Sequence, residues 1–567
     1  ELAVRGKLVP QDSNDEPASV LLERIEREKA QLIADKKIKK QKPLPLITEE
    51  EKPFDIASGW EWVSFGAICE IERGGSPRPI KSFITEDEDG LNWIKIGDTD
   101  IGGKYITSTA EKITKEGLKK TREVYPGDFL LTNSMSFGRP YITKIKGCIH
   151  DGWLRISPPS FLDKDYLYSL LSSSFIIRAF KKSASGAVVM NLNAEKVRSV
   201  RIPLPPISEQ HRIVAKVDEL MILCDQLEQQ TEQSQAAHQT LVEVLLAALL
   251  PSTSKSTVGE SDSAVPAEES FQTSWQRISD HFDVLFTTEH SIEQLKQTIL
   301  QLAVMGKLVP QNPNDEPASA LLEKIAEEKA QLIADKNITS KRQKQKQKPL
   351  PAITDEDKPF VLPSSWEWAR VGDLLSLKNG YAFKSKYFVE NKSEYILATP
   401  GNFYEEGGFR HRGDKTKYYD GPVDSDFVFE SGDLIIPMTE QAVGLLGSAA
   451  FVPKDQNKYL HNQRLGKLSP YSNSTTLEFI YLFFNSSFLR SELARTCTGM
   501  KVRHTSPDRI LTVSIPVIPP KEQIRIVAKV DELMALCDKL KDRLSDAQIT
   551  QLHLADAVVE NALQGEN

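Results

Sequence analysis

The sequence predicts an α+β protein in which two mixed α/β domains alternate with long coiled-coil helices. Three observations predict this class: a duplication within the chain, apolar heptads in the duplicated segments, and strand and turn patterns in the segments between them. The chain of 567 residues is also too long for one hydrophobic core, and a prior of about 150 residues per domain suggests three or four units.

The duplication consists of well-matched segments that flank a diverged one. The opening ELAVRGKLVPQDSNDEPASVLLERIEREKAQLIADKK returns from residue 301 as QLAVMGKLVPQNPNDEPASALLEKIAEEKAQLIADKN. The likeness continues through QKPLPLITEEEKPF and QKPLPAITDEDKPF, fades, and resumes at RIVAKVDELM, which is identical at Arg212 and Arg525. A period of about 300 residues is too long for a solenoid repeat, so we interpret the chain as a duplicated module.

The matched segments predict helices. After Pro205-Pro206 and Pro519-Pro520, where prolines are tolerated at a helix start, apolar residues recur at alternating steps of four and three, as in a coiled-coil seam. The stretch IEQLKQTILQLAVM predicts another helix, of which the first copy retains only ELAV, so we expect the chain to begin within a helix whose upstream half is missing. The seam residues are Ile213, Val217, Leu220, Cys224 and Leu227 in copy one, and Ile526, Val530, Leu533, Cys537, Leu540 and Leu544 in copy two.

These patterns divide the chain into seven segments. Basic runs, KKIKKQKP and KRQKQKQKP (341–349), trail two of the helices; such runs are usually solvated, with contact to a DNA backbone as the alternative. The predicted segments are an N-terminally incomplete repeat helix with its basic loop (1–52), a first mixed domain (53–203), a central coiled-coil helix (204–250), a Ser/Glu/Thr/Ala-rich linker (251–275), the second part of the central repeat, helical with a basic loop (276–357), a second mixed domain (358–517) and a C-terminal coiled-coil helix (518–567).

The mixed domains share landmarks while their other residues differ. WEWVSFGAICEIERGG and WEWARVGDLLSLKNG open them, and PGDFLLTNSM and SGDLIIPMTE predict a Gly-Asp turn that leads into a buried strand. Near each end a helix leads into a loop that contains Gly186 or Gly499. Similar scaffolds with dissimilar loops are typical of two binding modules that recognise different targets. Core packing is the interpretation for the paired tryptophans Trp60, Trp62, Trp366 and Trp368.

Composition favours a cytoplasmic protein with reduced thiols. The five scattered cysteines include no CxxC pair, and no secretory signal or apolar run of about 20 residues is present. The net charge of −8 is a poor guide to partners, because residues 61–200 hold 20 Lys/Arg against 17 Asp/Glu and residues 370–515 hold 18 against 16.

No catalytic motif is found. The sequence lacks GxxxxGK[ST], GxGxxG, HExxH and GxSxG, and its histidines do not cluster with carboxylates at metal-ligand spacing. The strings nearest to an adenine-methyltransferase tetrapeptide, SPPS (157–160) and IIPMT (435–439), lack the required side-chain amide, and Pro507-Asp508 is interpreted as a helix start. We therefore predict a chain without catalytic residues or metal ligands.

Residues suited to nucleic-acid binding occur in equivalent loops of the two mixed domains. The loops SPRPIKS and KNGYAFKSKYF mix cations with hydroxyl or aromatic groups, which suits phosphate positioning and base-edge readout. Each such residue alone is more often merely solvated, but recurrence at equivalent places in both copies favours the set. The predicted DNA-binding residues are Arg73, Arg78, Lys81, Asn133, Ser136, Arg139, Ser183, Ser185, Lys378, Tyr381, Lys384, Lys386, Gln441, Lys501, Arg503 and His504.

The order of these motifs resembles the specificity subunit of type I restriction-modification enzymes, in the subgroup with long, near-identical internal repeats. The matching motifs are PLPPISEQHRIVAKVDELMILCDQLE, VIPPKEQIRIVAKVDELMALCDKL, QLAVMGKLVPQ with NDEPASALLEKI, and the W-x-W, Gly-Asp and glycine-loop landmarks. They cover nearly the whole chain, and the duplicated order is far more specific than any single motif.

The resemblance implies that each mixed domain is a target-recognition domain that reads one half of a bipartite, asymmetric site in double-stranded DNA. It implies that the repeat helices pair antiparallel, which gives a pseudo-two-fold symmetric chain, and that they hold the two domains at a fixed distance. Two modification subunits, which methylate adenine at N6, and two ATP-dependent restriction subunits are the implied partners. S-adenosylmethionine, ATP and Mg are expected on those subunits and not on this chain. The alternatives are an unrecognised fused DNA methyltransferase or nuclease, and an adaptor scaffold that does not bind DNA.

Overall fold

The computed structural model of the chain describes all residues except 101, 134–136, 185–191, 251–266, 336–349, 441, 443, 496, 498–502 and 565–567. The described chain forms two compact units. Unit 1 comprises Glu1–Glu232 and Asp556–Asn567, and unit 2 comprises Gln233–Ala555. Both boundaries between the units fall within long helices, and the basic run 341–349 lies outside the described residues.

Unit 1 contains one sheet-bearing domain between repeat helices. Its helices are α1 (Ala18–Ala34), α2 (Phe65–Ile68), α3 (Lys164–Ser172), α4 (Ser174–Ala184), α5 (Ala194–Arg198) and the first part of α6 (Ile207–Ala247). Its strands are β1 (Glu61–Ser64), β2 (Glu70–Arg73), β3 (Ile84–Thr85), β4 (Leu91–Ile94), β5 (Tyr105–Ile106), β6 (Glu111–Ile113), β7 (Arg122–Val124), β8 (Phe129–Thr132), β9 (Pro140–Thr143), β10 (Gly147–Ile149), β11 (Trp153–Ser157) and β12 (Arg201–Leu204).

Unit 2 repeats this plan. Its further helices are α7 (Ala267–Asp280), α8 (Phe282–Leu285), α9 (Glu289–Val304), α10 (Ala318–Asp335), α11 (Val371–Leu374), α12 (Leu477–Asn485), α13 (Ser487–Arg495), α14 (Pro507–Leu511) and most of α15 (Pro520–Gln564). Its strands are β13 (Glu367–Arg370), β14 (Leu375–Asn379), β15 (Phe388–Val389), β16 (Tyr395–Ala398), β17 (Tyr418–Tyr419), β18 (Leu434–Pro437), β19 (Ala450–Phe451), β20 (Lys458–His461), β21 (Leu465–Pro470) and β22 (Ser514–Val517).

The sheets of the two domains have matching strand orders. In unit 1 they are β2-β11-β8-β9-β5, β3-β6-β4-β10-β7 and the pair β1-β12; in unit 2 they are β14-β21-β18-β19, β15-β17-β16-β20 and the pair β13-β22. In the second sheet of each domain one strand pair is parallel: β4 with β10 in unit 1, and β16 with β20 in unit 2. The strands that follow β10 and β20 along the chain, β11 and β21, belong to the first sheet. The prediction of an α+β chain with two like sheet-bearing domains is confirmed.

The Gly-Asp turns lead into buried central strands, as predicted. Gly127 and Gly432 adopt φ of 92° and 87°, which favours glycine. The next residue closes each turn, because the Asp128 carboxylate accepts the Tyr125 N–H at 2.8 Å and Asp433 accepts the Glu430 N–H at 2.8 Å. All four residues of β8 and of β18 are buried.

A buried carboxylate at the start of each long helix fastens the helix to the domain that precedes it. Glu209 accepts the Trp60 indole N–H at 2.8 Å and the Gln11 amide at 2.6 Å. The equivalent Glu522 accepts from Trp366 at 3.0 Å and from Gln311 at 2.5 Å. Burial raises the pKa of both carboxyl groups, while the two hydrogen bonds oppose the rise.

The glutamine that follows each of these glutamates binds the sheet-bearing domain. Gln210 accepts the backbone N–H of Asp163 at 3.0 Å, at the start of α3, and donates to the Pro205 carbonyl. Gln523 does the same with Thr476, at the start of α12, and with Ile518. The Pro-x-x-Glu-Gln motif, which begins at Pro206 and at Pro519, is therefore the joint between domain and helix in both copies.

In both strand pairs that close the domains a serine faces an arginine, but the two residues occupy opposite strands in the two copies. Ser64 of β1 lies opposite Arg201 of β12, whereas Arg370 of β13 lies opposite Ser514 of β22. In each pair the arginine donates to the serine and to an acidic turn, Glu51 or Asp357. The bidentate bond from Arg370 lowers the pKa of Asp357 to about 2.

The core and helix predictions are confirmed in part. Trp60, Trp62 and Trp366 are buried, as predicted for module-entry residues. The heptad seam is packed throughout copy two, whereas in copy one Leu220, Cys224 and Leu227 are exposed. The predicted linker 251–275 is also shorter than expected, because α7 begins at Ala267.

Candidate nucleic-acid interface

In unit 1, two glycines bring the predicted binding loop against the turn between β10 and β11. Gly74 donates to the Trp153 carbonyl at 2.9 Å, and Gly75 donates to the Ile149 carbonyl at 3.2 Å. A Cβ at Gly74 would lie 2.2 Å from the His150 carbonyl oxygen, so no larger residue fits without a backbone shift. The glycine pair therefore fixes where the loop SPRPIKS leaves the sheet.

Asp151 is the centre of a polar cluster at this edge. Its carboxylate accepts the Ser76 hydroxyl at 2.7 Å and lies 3.7 Å from the Arg78 guanidinium. Its backbone carbonyl accepts from Arg73 at 3.2 Å and from the Asn133 amide at 2.7 Å. The Ser76 hydrogen bond is the main cause that lowers the pKa of Asp151. The cluster orients two exposed guanidinium groups toward solvent, in a form that suits contact with phosphate.

The unit 1 predictions divide into three groups. Arg73, Arg78, Lys81 and Arg139 are exposed, and the cluster brings Arg73 and Arg78 together. Asn133 is only 2% exposed, and its amide donates to the Asp151 carbonyl. Ser183 is half-buried near the end of α4, and Ser136 and Ser185 lie outside the described residues.

Unit 2 builds the equivalent edge with different side chains. A Cβ at Gly380 would lie 2.2 Å from the Asn462 carbonyl oxygen, the same close approach as at Gly74. Tyr381 then donates its backbone N–H to His461 at 2.8 Å and accepts that of Gln463 at 3.0 Å. The Tyr381 ring is exposed and packs on Phe383 and Phe427.

Cations from three segments surround this edge. Lys378 at the end of β14 donates to the Asp426 carbonyl at 2.6 Å and lies over the Phe427 ring. The loop before α14 returns to the end of β18. There the backbone carbonyl of Arg503 accepts the Glu440 N–H at 2.9 Å, and His504 forms a β-bridge with Thr439. The neighbouring Met438 donates to the Arg464 carbonyl at 2.9 Å, so Arg464 and Arg503 flank the same strand end.

The remaining unit 2 predictions lie at different distances from this site. Lys384 and Lys386 are exposed on the turn that follows Tyr381. Gln441 and Lys501 lie outside the described residues. The exposed Arg503 guanidinium is 3.6 Å from the carboxylate of Glu440, whose side chain is only 16% exposed.

Two functional turns were not predicted from the sequence: the turn between β10 and β11 in unit 1, and the turn between β20 and β21 in unit 2. Gln463 and Arg464 are exposed, and among the described residues their side chains have no hydrogen-bond or ion-pair partner. Asp151 is the corresponding missed residue in unit 1. The available signal was the polar triplet Asn462-Gln463-Arg464 between the segments KYLH and LGKL, in which apolar residues are mixed with lysine and histidine.

His461 anchors the turn between β20 and β21 from the interior of the domain. It is buried, its Nε2 lies 3.0 Å from the Leu465 carbonyl oxygen, and its ring centroid lies 4.4 Å from that of Phe429, with the two planes tilted by 31°. Burial lowers its pKa to about 4. The folded state therefore favours the neutral ring, while the unfolded chain takes up a proton near pH 6.5.

We expect unit 2 to lose stability as the pH falls from about 6.5 to about 4, by roughly 3 kcal/mol from His461 alone. Because other groups titrate in this range, the test compares the pH dependence of urea unfolding for the wild-type chain and His461→Gln, which keeps an N–H donor. The difference between the two chains should grow in favour of the variant as the pH falls. A constant difference would show that His461 is not held neutral.

No group of three or more His, Cys, Asp or Glu residues within the described ranges is placed to hold a metal ion. None of the described helices combines the length and the apolarity needed to cross a bilayer.

Each of the two like units thus carries a glycine-anchored edge with exposed cations and polar turns. The family model described as type I restriction modification DNA specificity domain matches residues 57–235 and 363–551. The chain is 38% identical to the EcoAI specificity subunit of Escherichia coli, over 99% of this chain and 92% of that protein. It is 35% identical to the Escherichia coli EcoEI specificity subunit, with the same coverage.

The crystal structure of the HsdS subunit from Thermoanaerobacter tengcongensis aligns with 91% of this chain and 100% of its own, at a TM-score of 0.41 and 18% identity. From the family match and the two relatives, the chain belongs to the family of type I restriction-modification DNA specificity subunits. The predicted family, and the prediction of a DNA-specificity component instead of an enzyme, are thereby confirmed.

Proposed function

We propose that each sheet-bearing domain reads one half of a bipartite, asymmetric DNA sequence. The observation that carries this proposal is the pair of edges that share a glycine-anchored scaffold but differ in their side chains. Around the turn, unit 1 presents Arg73 and Arg78 beside Asp151, and unit 2 presents Tyr381, Gln463 and Arg464. Because the scaffolds match, each domain presents its edge to DNA in the same way. Because the side chains on the two edges differ, the two domains read different bases.

The repeat helices serve as the ruler and the docking surface. Half-sites on one face of DNA lie about 34 Å or a multiple apart. The 41 residues of α6, at a rise of about 1.5 Å each, are long enough for such a spacing. The identical RIVAKVDELM segments offer like surfaces to like partners, for which we propose two modification subunits that methylate adenine at N6. Two ATP-dependent restriction subunits complete the complex.

In this assignment the chain determines which DNA sequence is recognised, and its partner subunits carry out the catalytic reactions. Methylation of a base within a duplex requires base flipping, so firm contacts on both sides of the target base are needed. S-adenosylmethionine, ATP and Mg then bind the partner subunits. The complex acts on cellular DNA, which places it in the cytoplasm.

Labelled S-adenosylmethionine separates this proposal from its alternatives. The purified chain mixed with DNA should transfer no methyl groups, and addition of the modification subunit should start transfer at one bipartite sequence. Methyl transfer by the chain alone would favour a fused enzyme. Absence of sequence-selective DNA binding, even with the modification subunit present, would favour an adaptor scaffold.

A further inference from the structure

A short 3₁₀ helix in unit 1, Lys115–Lys120, is fastened at both ends to the binding loop SPRPIKS. We call this helix the basic turn. At its start, Thr114 donates its backbone N–H at 2.8 Å to the carbonyl of Phe83, the residue directly after the loop. At its end, a Cβ on Gly75 would lie 2.6 Å from the Lys120 carbonyl oxygen, so the backbone of the loop passes directly against that of the basic turn.

One backbone carbonyl joins the basic turn to the Asp151 cluster. The Ile149 carbonyl accepts both the Gly75 N–H at 3.2 Å and the Thr121 hydroxyl at 2.7 Å. Ile149 precedes Asp151 by two residues, and the Asp151 carboxylate lies 3.7 Å from the Arg78 guanidinium. The basic turn therefore belongs to the same edge of the domain as the exposed guanidinium groups that are proposed to meet DNA.

The basic turn concentrates positive charge at this edge. Its sequence, KEGLKK, holds three lysines and one glutamate, which gives a net charge of +2. Lys115, Lys119 and Lys120 are all exposed. The Lys120 ammonium lies 5.4 Å from the centroid of the Phe83 ring, a cation–π contact that holds this side chain beside the loop. The turn thus presents lysines next to the side chains that are proposed to read bases.

Unit 2 carries the opposite charge at the equivalent place. With the Gly-Asp turns of the two domains aligned, KEGLKK corresponds to residues 420–425, DGPVDS, whose two aspartates give a net charge of −2. Asp420 and Asp424 stand in place of Lys115 and Lys119, and both are exposed.

The residues that directly follow this acidic segment border the binding edge of unit 2. The Asp426 carbonyl accepts the Lys378 ammonium at 2.6 Å, and the centroid of the Phe427 ring lies 5.3 Å from that of Tyr381. The two domains therefore place corresponding segments beside their binding edges, but with charges of opposite sign.

We propose that Lys115, Lys119 and Lys120 bind the phosphate backbone beside the half-site that the first domain reads, and that the second domain has no counterpart of this contact. The inference rests on the proposed function, because it takes each domain to read one half-site. Lysine binds phosphates of any sequence, so these contacts strengthen binding and position the first domain without specifying bases. In the second domain, Asp420 and Asp424 repel a phosphate at the same place. The DNA is therefore held unequally by the two domains.

Replacement of the three lysines together, as Lys115→Gln, Lys119→Gln and Lys120→Gln, removes the charges and keeps side chains of similar length. We expect the assembled complex to bind a labelled duplex with its recognised sequence more weakly by a factor of about 10 to 100. The slope of log affinity against log salt should become shallower by about 2.7, from about 0.9 per lost phosphate contact. The sequence methylated in the host should not change, because no base contact is lost. Fluorescence anisotropy over a series of salt concentrations measures the affinity and the slope.

Two matched variants separate a local contact from a general effect of charge. Arginine at the same three positions keeps the charge and should retain the wild-type slope. Glutamine at Lys39, Lys40 and Lys42, which are exposed lysines of the same unit, changes the net charge equally and should leave affinity and slope nearly unchanged. An equal loss in this second control would overturn the inference, because the net charge of unit 1 would then govern affinity.

Ethylation interference on the same duplex locates the contacts. Phosphates whose ethylation hinders the wild-type complex, but not the glutamine variant of the basic turn, should lie at one half-site only; their occurrence at both half-sites would contradict the inference. If the wild-type complex binds its sequence selectively and this variant binds with unchanged affinity and slope, the inference is wrong and the proposed function stands. If the wild-type complex does not bind selectively, both are wrong.

Discussion

Replacement of Glu522 with alanine is expected to lower the stability of unit 2 by about 3 kcal/mol, a large fraction of a typical domain's total. The carboxylate is buried and accepts from both the Trp366 indole and the Gln311 amide. Its removal leaves the buried Trp366 indole N–H and the Gln311 amide without their acceptor, and it opens the joint between the sheet-bearing domain and α15. Glu522→Gln should cost less, because its carbonyl oxygen can still accept one of the two bonds.

Hydrogen–deuterium exchange of the intact chain tests this prediction, since unit 1 keeps the equivalent Glu209 and serves as an internal reference. Peptides around Trp366 and Gln311 should exchange faster in the variant, while peptides around Trp60 should not change. Glu532→Ala removes an exposed glutamate from the same helix and should have little effect. Equal exchange in the wild-type chain and in Glu522→Ala would show that the carboxylate does not hold the joint.

Replacement of Lys378, Arg464 and Arg503 together with alanine is expected to weaken binding of the assembled complex to its DNA site by a factor of about 100 to 1,000. These cations surround one strand end of unit 2, and each removes one condensed counterion when it meets a phosphate. The slope of log affinity against log salt should become shallower by about 2.7, from about 0.9 per lost phosphate contact.

Fluorescence anisotropy with a labelled duplex, in the presence of modification subunits and over a series of salt concentrations, measures both quantities. The matched control removes three exposed lysines of the same domain, Lys392, Lys415 and Lys454, and changes the net charge equally. A loss of the same size in the control would mean that net charge, and not this edge, governs affinity.

The sequence predicted those parts of the fold that depend on local pattern. The heptads predicted α6 and α15, and the Gly-Asp pairs predicted the entries to β8 and β18. Trp60, Trp62 and Trp366 were correctly assigned to the core because both copies carry tryptophans at the domain start, whereas Trp368 is only partly buried. Their partners were not predictable, since Glu209 lies 149 residues from Trp60 and only the folded chain brings the two together. The exchange of Ser64 and Arg201 for Arg370 and Ser514 was hidden for the same reason.

The binding edges were predicted less completely, because proximity there depends on how the chain crosses from one sheet to the other. Arg73 and Arg78 do come together, but around Asp151, which no pattern marked. Asn133 looks like a polar loop residue, yet it is buried because its amide satisfies the Asp151 carbonyl. Gln463 and Arg464 were overlooked because the turn that exposes them joins strands of two different sheets. The exposed seam of α6 could not be foreseen from heptads, which mark an apolar face but not whether a helix covers it.

Exchange of residues 61–200 for the equivalent domain of the Escherichia coli EcoAI relative tests the central claim most directly. The hybrid chain is assembled with modification subunits, and the methylated sequence is read by single-molecule sequencing of host DNA. The joint residues Trp60 and Glu209 lie outside the exchanged segment, so the domain keeps its attachment to α6. If each domain reads one half-site, one half of the methylated sequence changes and the other half and the spacing stay. A change in both halves, or in neither, would contradict the account.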